Sequence, residues 1–345
     1  MSGVALGIDA GGSTTRALAV DAAGTVVGRG RAGGANPVSV APAVAADNIL
    51  TAAREALGGR PLAACVIGLA GYSALGSPPV AAAFRPVFAI LRPRVVVDAE
   101  VAFASGTASP DGTVLIAGTG SIAIRLVGRA RVATAGGYGW LLGDEGSAFW
   151  IGREAVRATL RTLQGQEPMG VLAASVLGAL GYPQPSYPQS PDSSTGGEIA
   201  LDSSEGLHNL ASNRSRDLAG EPTGTGEDHE LLAAATLFGM VIAAVRRDEP
   251  VRLARFSPLV TAAAHTDPVA AGIVERAARS LAGQVSSVYV DGPVVLVGGV
   301  LRTLVGDRVR ELLADREVVG AEDGAVGAAW LAALDAFGAD AARPR

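Results

Sequence analysis

The chain has 345 residues, of which 49% are hydrophobic and 18% charged, a composition typical of a soluble globular protein with room for two domains. None of its 28 basic residues is a lysine, which excludes Walker-A loops, protein kinases and enzymes that form a Schiff base through lysine. A net charge of −5 disfavours nucleic-acid binding, and the single cysteine, Cys65, excludes disulfides, cysteine-ligated zinc and iron–sulfur clusters within one chain, so small molecules are the expected partners.

The first part of the chain has the pattern of short strands and then of alternating helices and strands. Glycine turns separate three segments of small and β-branched residues, which predicts an antiparallel meander. The alternation that follows is typical of an α/β fold with parallel strands. The predicted strands are Val4–Asp9, Thr15–Asp21, Thr25–Arg31, Ala63–Leu69 and Arg94–Asp98, and the predicted helices are Val40–Leu57, the amphipathic stretch Val80–Leu91 and one that starts with Ala99–Ser105.

From residue 113 the order of strand, turn, strand, turn and strand begins again. Gly12-Ser13 recurs as Gly120-Ser121, and Leu18 recurs as Leu126, at one constant offset. The repeated layout indicates a duplicated unit. Its three predicted strands are Thr113–Ala117, Ile122–Val127 and Arg131–Ala135.

We therefore expect two domains, at residues 1–112 and 113–345. The second contains an insertion, 182–228, which is crowded with Ser, Pro, Gly, Thr and Asp. Such a segment buries too little apolar surface to offset the entropy of ordering, so it is predicted to be mobile. The remaining predicted elements are helices at Gly152–Leu163, Glu230–Val245 and Ala270–Val288, a strand at Pro293–Val297, a helix that begins near Leu301 and a last helix at Ala325–Phe337.

Two glycine-rich turns, Gly11-Gly12 and Gly118 to Gly120, each join apolar strands. Consecutive backbone N–H groups without side chains form a concave site for anions. Two such turns facing each other would hold the phosphates of a nucleotide without any lysine. The alternative is that both are only tight hairpins.

Two aspartates follow strands at positions suited to chemistry. Asp9 ends a strand just before the first glycine turn, where a carboxylate can hold Mg²⁺ against bound phosphates. Asp98 follows three valines and precedes a helix, which places it at the carboxyl edge of a sheet, where open α/β folds bind ligands. The alternatives are a turn-stabilising role for Asp9 and a helix N-cap for Asp98.

The densest polar cluster lies at residues 136–147 and contains five glycines and two aromatic residues. Glycines let the backbone approach a ligand closely, and Tyr138 or Trp140 has the ring to stack on a sugar. Asp144 and Glu145 are suited to accept hydrogen bonds from its hydroxyls. The alternative is a solvated acidic turn.

These residues together resemble a known family. The motifs are Gly7-Ile8-Asp9-Ala10-Gly11-Gly12-Ser13-Thr14-Thr15, Val97-Asp98-Ala99, Ile116-Ala117-Gly118-Thr119-Gly120-Ser121, the run from Gly136 to Ser147 and Val297-Gly298-Gly299-Val300. They are similar to those of the N-acetylglucosamine kinases, which belong to the BadF/BadG/BcrA/BcrD-type group in the superfamily of sugar kinases, actin and heat-shock chaperones. The resemblance covers nearly the whole chain outside 182–228 and implies an α/β fold of two ribonuclease-H-like (actin-like ATPase) domains with an interdomain cleft.

The resemblance also implies roles for individual residues. Asp9 would be the magnesium-linked acid and Asp98 the general base. The family's phosphate loops correspond to Gly11, Gly12, Ser13 and Thr14 and to Gly118, Thr119, Gly120 and Ser121. Its sugar contacts correspond to Asn36, Gly137, Tyr138, Gly139 and Asp144, and its adenosine contacts to Gly298 and Gly299.

The activity implied is transfer of phosphate from ATP, with Mg²⁺, to the 6-hydroxyl of an amino sugar, first of all N-acetylglucosamine. Two departures from the family bear on which sugar is preferred: Tyr138 stands where relatives often have Trp, and Val97 stands where many have Asn. Glucosamine, N-acetylmuramic acid and a plain hexose are therefore alternatives. A non-catalytic sugar sensor is a more distant one, disfavoured because a sensor needs neither Asp9 nor Asp98.

The location and assembly of the protein are also predicted. The first residues lack a basic leader, so we expect a cytoplasmic protein. The uncharged stretch Pro61 to Phe84 is interrupted by Gly, Ser and Pro, so we expect no membrane association. The family resemblance implies a homodimer.

Overall fold

A computed structural model describes residues 3–183, 226–321 and 323–344, with only the backbone described at 226–231. Residues 184–225 of the predicted insertion lie outside the described residues. The chain divides into two compact units. The first comprises Met1–Ala155 together with Glu249–Arg345, and the second comprises Val156–Asp248.

The first unit contains two five-stranded sheets. The first sheet has the strand order β3-β2-β1-β4-β5, in which β1, β2 and β3 are antiparallel neighbours and β4 and β5 run parallel to β1. The predicted meander and the change to parallel strands are therefore confirmed. The strands are β1 (Val4–Ala10), β2 (Thr14–Val20), β3 (Val26–Gly33), β4 (Leu62–Leu69) and β5 (Arg94–Val97).

The second sheet repeats this topology as β8-β7-β6-β9-β10. Three antiparallel strands again precede two parallel ones, which confirms the predicted duplication. The last strand was not predicted, because four residues that include a glycine are too few for a strand pattern. The strands are β6 (Gly112–Ala117), β7 (Ser121–Val127), β8 (Ala130–Gly136), β9 (Val294–Val297) and β10 (Val318–Ala321).

The helices lie between and beyond these strands. They are α1 (Pro42–Leu57), α2 (Pro78–Leu91), α3 (Asp98–Gly106), α4 (Ala148–Leu163), α5 (Val171–Ala179), α6 (Gly226–Arg247), α7 (Ser257–Ala263), α8 (Pro268–Val288), α9 (Leu304–Leu312) and α10 (Gly324–Phe337), with 3-10 turns at Tyr72–Gly76, Pro250–Phe256 and Val300–Arg302. Helix α5 was not predicted, because it is apolar on all sides and shows no helical stripe. The helix expected near Leu301 is a 3-10 turn followed by α9.

Each face of the first sheet is covered by its own core. Residues such as Leu6, Ile8 and Ile67 pack in one buried cluster with Ile49 of α1 and Phe84 of α2. Cys65 belongs to this core, as predicted, and burial raises the pKa of its thiol to about 12. It is therefore an inert core residue.

The other face of the first sheet packs against α10, the last helix of the chain. Ala5 and Val66 share a buried cluster with Ala328 and Trp330. Gly7 permits this contact, since a Cβ at this position would lie 1.9 Å from the backbone nitrogen of Ala329. The predicted division into domains at 112/113 stays a prediction, and α10 packs on the first sheet although it follows the second sheet in the chain.

The second unit is helical in its described part. It contains the end of α4, α5 and α6. An ion pair joins Arg161 to Glu167 at 2.7 Å, and the hydroxyl of Tyr182 donates to the carbonyl of Met240 at 3.2 Å. Over the described ranges of the whole chain, no helix combines the length and apolar character needed to cross a bilayer.

Candidate active site

A cavity of about 650 Å³ opens in the first unit, at the glycine turns of both sheets. This is a typical volume for a small-molecule site. All predicted site residues except Tyr138 and Gly298 line it, namely Asp9, Gly11, Gly12, Ser13, Thr14, Asn36, Asp98, Gly118, Thr119, Gly120, Ser121, Gly137, Gly139, Asp144 and Gly299. The other lining residues are Arg16, Ala70, Ala102, Ile116, Ile122, Val297 and Gly324.

The turn between β1 and β2 presents unused backbone donors to this cavity. The N–H of Gly11 donates to the carbonyl of Thr14 at 3.1 Å, and its carbonyl accepts from Ala35 at 2.8 Å, which fixes the turn. Among the described residues, the N–H groups of Gly12 and Ser13 have no protein acceptor. A Cβ at Gly12 would meet nothing within 4 Å, so the space in front of it is open. The turn therefore has the donors and the room for an anion.

The turn between β6 and β7 is similar but is tied to its surroundings. Gly118 donates to the carbonyl of Gly120 at 2.9 Å and accepts from the N–H of Ala148, at the start of α4, at 2.8 Å. Within the described part of the chain, the N–H groups of Thr119 and Gly120 donate to no protein oxygen. Ser121 differs, because its N–H donates to Oδ1 of Asp144 at 3.1 Å. Thr119 and Gly120 are therefore the donors that this turn offers to a ligand.

Asp9 lies at the end of β1 in an electrostatically unfavourable place for a lone carboxylate. Burial, followed by repulsion from Asp323 and Asp98, raises its pKa to about 7, although Arg16 acts in the opposite direction. Gly324, the first residue of α10, makes room for it, since a Cβ there would lie 2.9 Å from Cγ of Asp9. A cation beside Asp9 would stabilise the ionised form of its carboxylate.

The donor set at Asp9 fits Mg²⁺ that binds together with phosphates. In the described ranges, no three His, Cys, Asp or Glu side chains converge as a complete metal cage. Mg²⁺ is usually held by one or two carboxylates, with waters and substrate phosphates completing its shell. One buried carboxylate beside a turn with free amides is such a partial site.

Asp98 is the first residue of α3 and directly follows β5. Its Oδ1 accepts from the N–H of Ala99 at 3.0 Å. Burial raises its pKa, while the hydrogen bond from Ala99 and the charge of Arg131 act against the rise. The N-cap position is occupied by Val97, without a side-chain cap, so Asp98 does not act as the N-cap proposed as its alternative role. A carboxylate with a raised pKa in a ligand cavity is suited to accept a proton.

The sugar-side residues Asn36 and Asp144 are held by close contacts with glycines. Oδ1 of Asn36 accepts from the N–H of Val38 at 2.9 Å, and a Cβ at Gly71 would lie 2.3 Å from that oxygen. Asp144 is buried, with a left-handed φ of 60°, and a Cβ at Gly120 would lie 2.9 Å from its Oδ2. Burial raises the pKa of Asp144. The carboxylate of Asp144 is therefore not solvated, although residues 137–142 and Glu145 of the same run are exposed.

Three residues that the sequence assigned to the site, Tyr138, Trp140 and Gly298, are not in the cavity lining. Tyr138 does not line the cavity, and the residue is 67% exposed. Trp140 packs edge-on against Phe149, with ring centres 5.9 Å apart. Gly298, with φ of 120°, also lies outside the lining, and a Cβ there would lie 2.2 Å from the carbonyl oxygen of Ala117. Glycine at 298 therefore lets the chain pass close to the backbone of β6. Its neighbour Gly299 does line the cavity.

Comparison with known proteins gives the family of the chain. The model of the BadF/BadG/BcrA/BcrD ATPase family matches residues 6–332. The chain belongs to this family. Over 83 residues it is also 39% identical to the N-acetylmuramic acid/N-acetylglucosamine kinase of Clostridium acetobutylicum. That match spans 24% of this chain and 27% of the kinase.

Solved structures of similar fold cover almost the whole chain. A protein of Chromobacterium violaceum, provisionally named an N-acetylglucosamine kinase, superposes with a TM-score of 0.66 at 22% identity, covering 96% of this chain and 99% of its own. A Porphyromonas gingivalis protein with the same provisional name gives 0.62 at 19% identity, over 96% and 98%. A glucokinase of the ROK family from Streptomyces griseus, in complex with glucose and AMPPNP, gives 0.51 at 17%, over 96% and 98%. These likenesses confirm the predicted two-sheet, actin-like ATPase fold.

One charged residue of this family member was missed by sequence reasoning. Arg16 is the only basic side chain among the described residues that line the cavity. It pairs with Asp9 across the β1–β2 ladder and lies 4.0 Å from the carboxylate of Asp323. Counting outward from the predicted hairpin turn would have found it, since the register places it opposite Asp9. Gly324 gave no such signal, because it comes from the other end of the chain.

Proposed function

We propose that this protein is an ATP-dependent kinase that phosphorylates the 6-hydroxyl of an amino sugar, most directly N-acetylglucosamine. The observation that carries the proposal is the cavity between two glycine turns, each with two backbone N–H groups free to bind an anion, with Asp9 and Asp98 in the same lining. The names of the relatives in Clostridium, Chromobacterium and Porphyromonas support the sugar class.

The backbone amides and Arg16 would bind the phosphates of ATP. A chain without lysine needs other donors, and the amides of Gly12, Ser13, Thr119 and Gly120 are already fixed in place. Donors held before the ligand arrives stabilise developing charge without reorganisation. Arg16 adds a fixed positive charge at the Asp9 end of the cavity, where the phosphate negative charge would otherwise meet carboxylates.

Asp9 would hold Mg²⁺ at this end. When bound, the ion offsets negative charge on the phosphate oxygens. Asp9 suits this task because its carboxylate is buried beside other carboxylates and gains most from a nearby cation. Gly324 keeps the space beside it free of a side chain.

Asp98 would act as the general base. It accepts the proton of the 6-hydroxyl as the oxygen forms a bond to the γ-phosphorus, while the bond from that phosphorus to the β,γ-bridging oxygen breaks and ADP leaves. The hydrogen bond from Ala99 fixes one carboxylate oxygen and leaves the other for the sugar. Positioning and charge stabilisation supply most of the rate in phosphoryl transfer, so the base has to be well placed rather than strong.

Asn36 and Asp144 would hold the sugar through its other hydroxyls. Both are polar groups in fixed positions on the cavity lining, and a carboxylate such as that of Asp144 accepts hydrogen bonds from hydroxyl groups. N-acetylmuramic acid is a second candidate, because the Clostridium relative carries both substrates in its name. Glucosamine is a third, since no residue in the lining singles out the acetyl group.

The experiment is a coupled ADP-release assay with MgATP and four sugars: N-acetylglucosamine, N-acetylmuramic acid, glucosamine and glucose. We expect sugar-dependent ADP release that is fastest with N-acetylglucosamine. Asp98→Asn is the control for contaminating kinases, since it keeps the cavity and removes the base. Sugar and nucleotide binding without sugar-dependent ADP release would instead support a sensor and reject the kinase proposal.

A further inference from the structure

Gln284, on the cavity side of α8, connects two loops of the site although it lines no part of the cavity. Its Nε2 donates to Oγ of Ser121 at 3.2 Å and to the carbonyl oxygen of Glu145 at 3.1 Å. The orientation of the amide follows from chemistry, because a flipped amide would place its oxygen against the carbonyl oxygen of Glu145, which cannot donate a hydrogen bond. One side chain thus bonds to the second glycine turn and to the acidic loop.

The two partners of Gln284 are also bonded to each other. Oγ of Ser121 donates to the carbonyl of Glu145 at 3.0 Å, and the N–H of Ser121 donates to Oδ1 of Asp144 at 3.1 Å. The hydrogen bond from Gln284 to Oγ directs the Ser121 hydroxyl proton towards Glu145. Gln284 therefore completes a closed network that fixes Ser121, whose N–H bonds to Asp144, and Glu145, the residue after Asp144.

The backbone near Gln284 is shaped to admit it. At Gly136, where φ is 76°, a Cβ would lie 2.7 Å from Oε1 of Gln284. The next residue, Gly137, donates to the carbonyl of Ser121 at 2.9 Å. A third loop of the site is therefore packed against the same amide.

The carbonyl oxygen of the Gln284 side chain lowers the stability of this arrangement. Oε1 of Gln284 is buried and has no hydrogen-bond partner among the described residues. A buried, unpaired polar atom destabilises a fold. An apolar side chain would avoid that cost, so stability alone does not account for glutamine here.

We propose that Gln284 is a positioning residue for the sugar-binding carboxylate. It acts through Ser121 and the carbonyl of Glu145 to hold Asp144 in its buried, left-handed conformation beside the second glycine turn. The proposal rests on the proposed function, because it assigns Asp144 to the sugar. It predicts that Gln284 affects sugar binding more than nucleotide binding, because the network bonds to Asp144 and to none of the free amides that would bind phosphate.

The test is Gln284→Met, which keeps the size of the side chain and removes both donors. We expect KM for the sugar to rise about tenfold, the effect of losing two modest hydrogen bonds, while KM for ATP changes less than about twofold. The melting temperature should not fall, because the unpaired Oε1 is removed as well. Gln284→Glu is the second variant and should raise the sugar KM further, since it places a carboxylate against two oxygens.

Two controls separate positioning from a general structural effect. Gln166→Met makes the same chemical change at an exposed glutamine of the second unit and should leave all parameters unchanged. In a double-mutant cycle, Gln284→Met should have less effect on sugar KM in a Ser121→Ala background, because the shared partner is gone.

The outcomes are distinct. An active wild type with an unchanged sugar KM in Gln284→Met, or equal rises in both KM values with an additive Ser121→Ala cycle, would reject the role of Gln284 and leave the kinase proposal intact. A wild type that releases no ADP with any sugar would reject the proposed function, and this proposal with it.

Discussion

The two glycine turns have the same place in two sheets of the same topology, yet the strands that carry them differ in charge. In the first hairpin, Asp9 pairs with Arg16 across the ladder, and in the second, Ile116 pairs with Ile122 at the corresponding place before the turn. All four side chains line the cavity. Both halves of the repeated layout therefore carry a glycine turn, and the paired strand residues beside it are charged only at the first turn.

We propose that this difference gives the two hairpins partly separate tasks. The charged hairpin, with Asp98 nearby, has the groups that phosphate and proton chemistry require. The apolar hairpin supplies amides and an apolar wall, and its Ser121 is used to hold Asp144 rather than a ligand. We expect substitutions in the first hairpin to alter nucleotide use and chemistry. Those in the second should alter sugar use through Asp144 as well as phosphate binding by the amides of Thr119 and Gly120.

The largest effect should come from the base. Asp98→Asn should lower kcat by about a hundredfold or more while sugar and nucleotide binding stay near normal, because the amide keeps the shape and cannot accept the proton. Steady-state kinetics and calorimetric binding measure the two quantities. A kcat within a few-fold of the wild type would remove Asp98 from the mechanism.

The next effect should come from the charged pair of the first hairpin. Arg16→Met should raise KM for ATP by about tenfold to a hundredfold, since it removes a charged donor from the phosphate end, and should change the sugar KM little. Arg54→Met is the matched control, at an exposed arginine of α1 whose side chain is 71% exposed. An unchanged KM for ATP would show that the amides alone hold the phosphates.

A pair of glycine substitutions sharpens the comparison directly. Gly12→Ala has open space for its Cβ, so the fold should be kept while the methyl group occupies the phosphate space and raises KM for ATP. Gly120→Ala places its Cβ 2.9 Å from Oδ2 of Asp144, so that carboxylate must move and the sugar KM should rise by about tenfold. A sugar KM that Gly120→Ala leaves unchanged would show that the second turn does not position Asp144.

A separate effect should appear in the stability of the ligand-free protein as a function of pH. The pKa of Asp9 is raised to about 7, above its value of 3.8 in an unfolded chain, so Asp9 stays protonated to a higher pH in the folded state. The free energy of unfolding should therefore fall as pH rises from about 4 to about 7, and Asp9→Asn should remove that part of the slope. Thermal unfolding between pH 5 and 8 measures it, and identical slopes for the two proteins would contradict the assignment.

Much of the fold and part of the site were predictable, because local patterns carry them. The meander, its repeat and the strand ends at Asp9 and Asp98 follow from strand periodicity and glycine turns. Gln284 and Gly324 had no local signal, since each reaches the site from a distant helix. The packing of α10 on the first sheet was missed for the same reason, and the aromatic ring of Tyr138 was assigned to the sugar although its side chain lies outside the cavity lining.

The most direct test of the central claim is to identify the product by phosphorus NMR. The protein, MgATP and N-acetylglucosamine are incubated together, and the spectrum is followed over time. The account predicts a sugar 6-phosphate that forms in step with ADP and does not form with Asp98→Asn. Formation of ADP and inorganic phosphate without any sugar phosphate would contradict it.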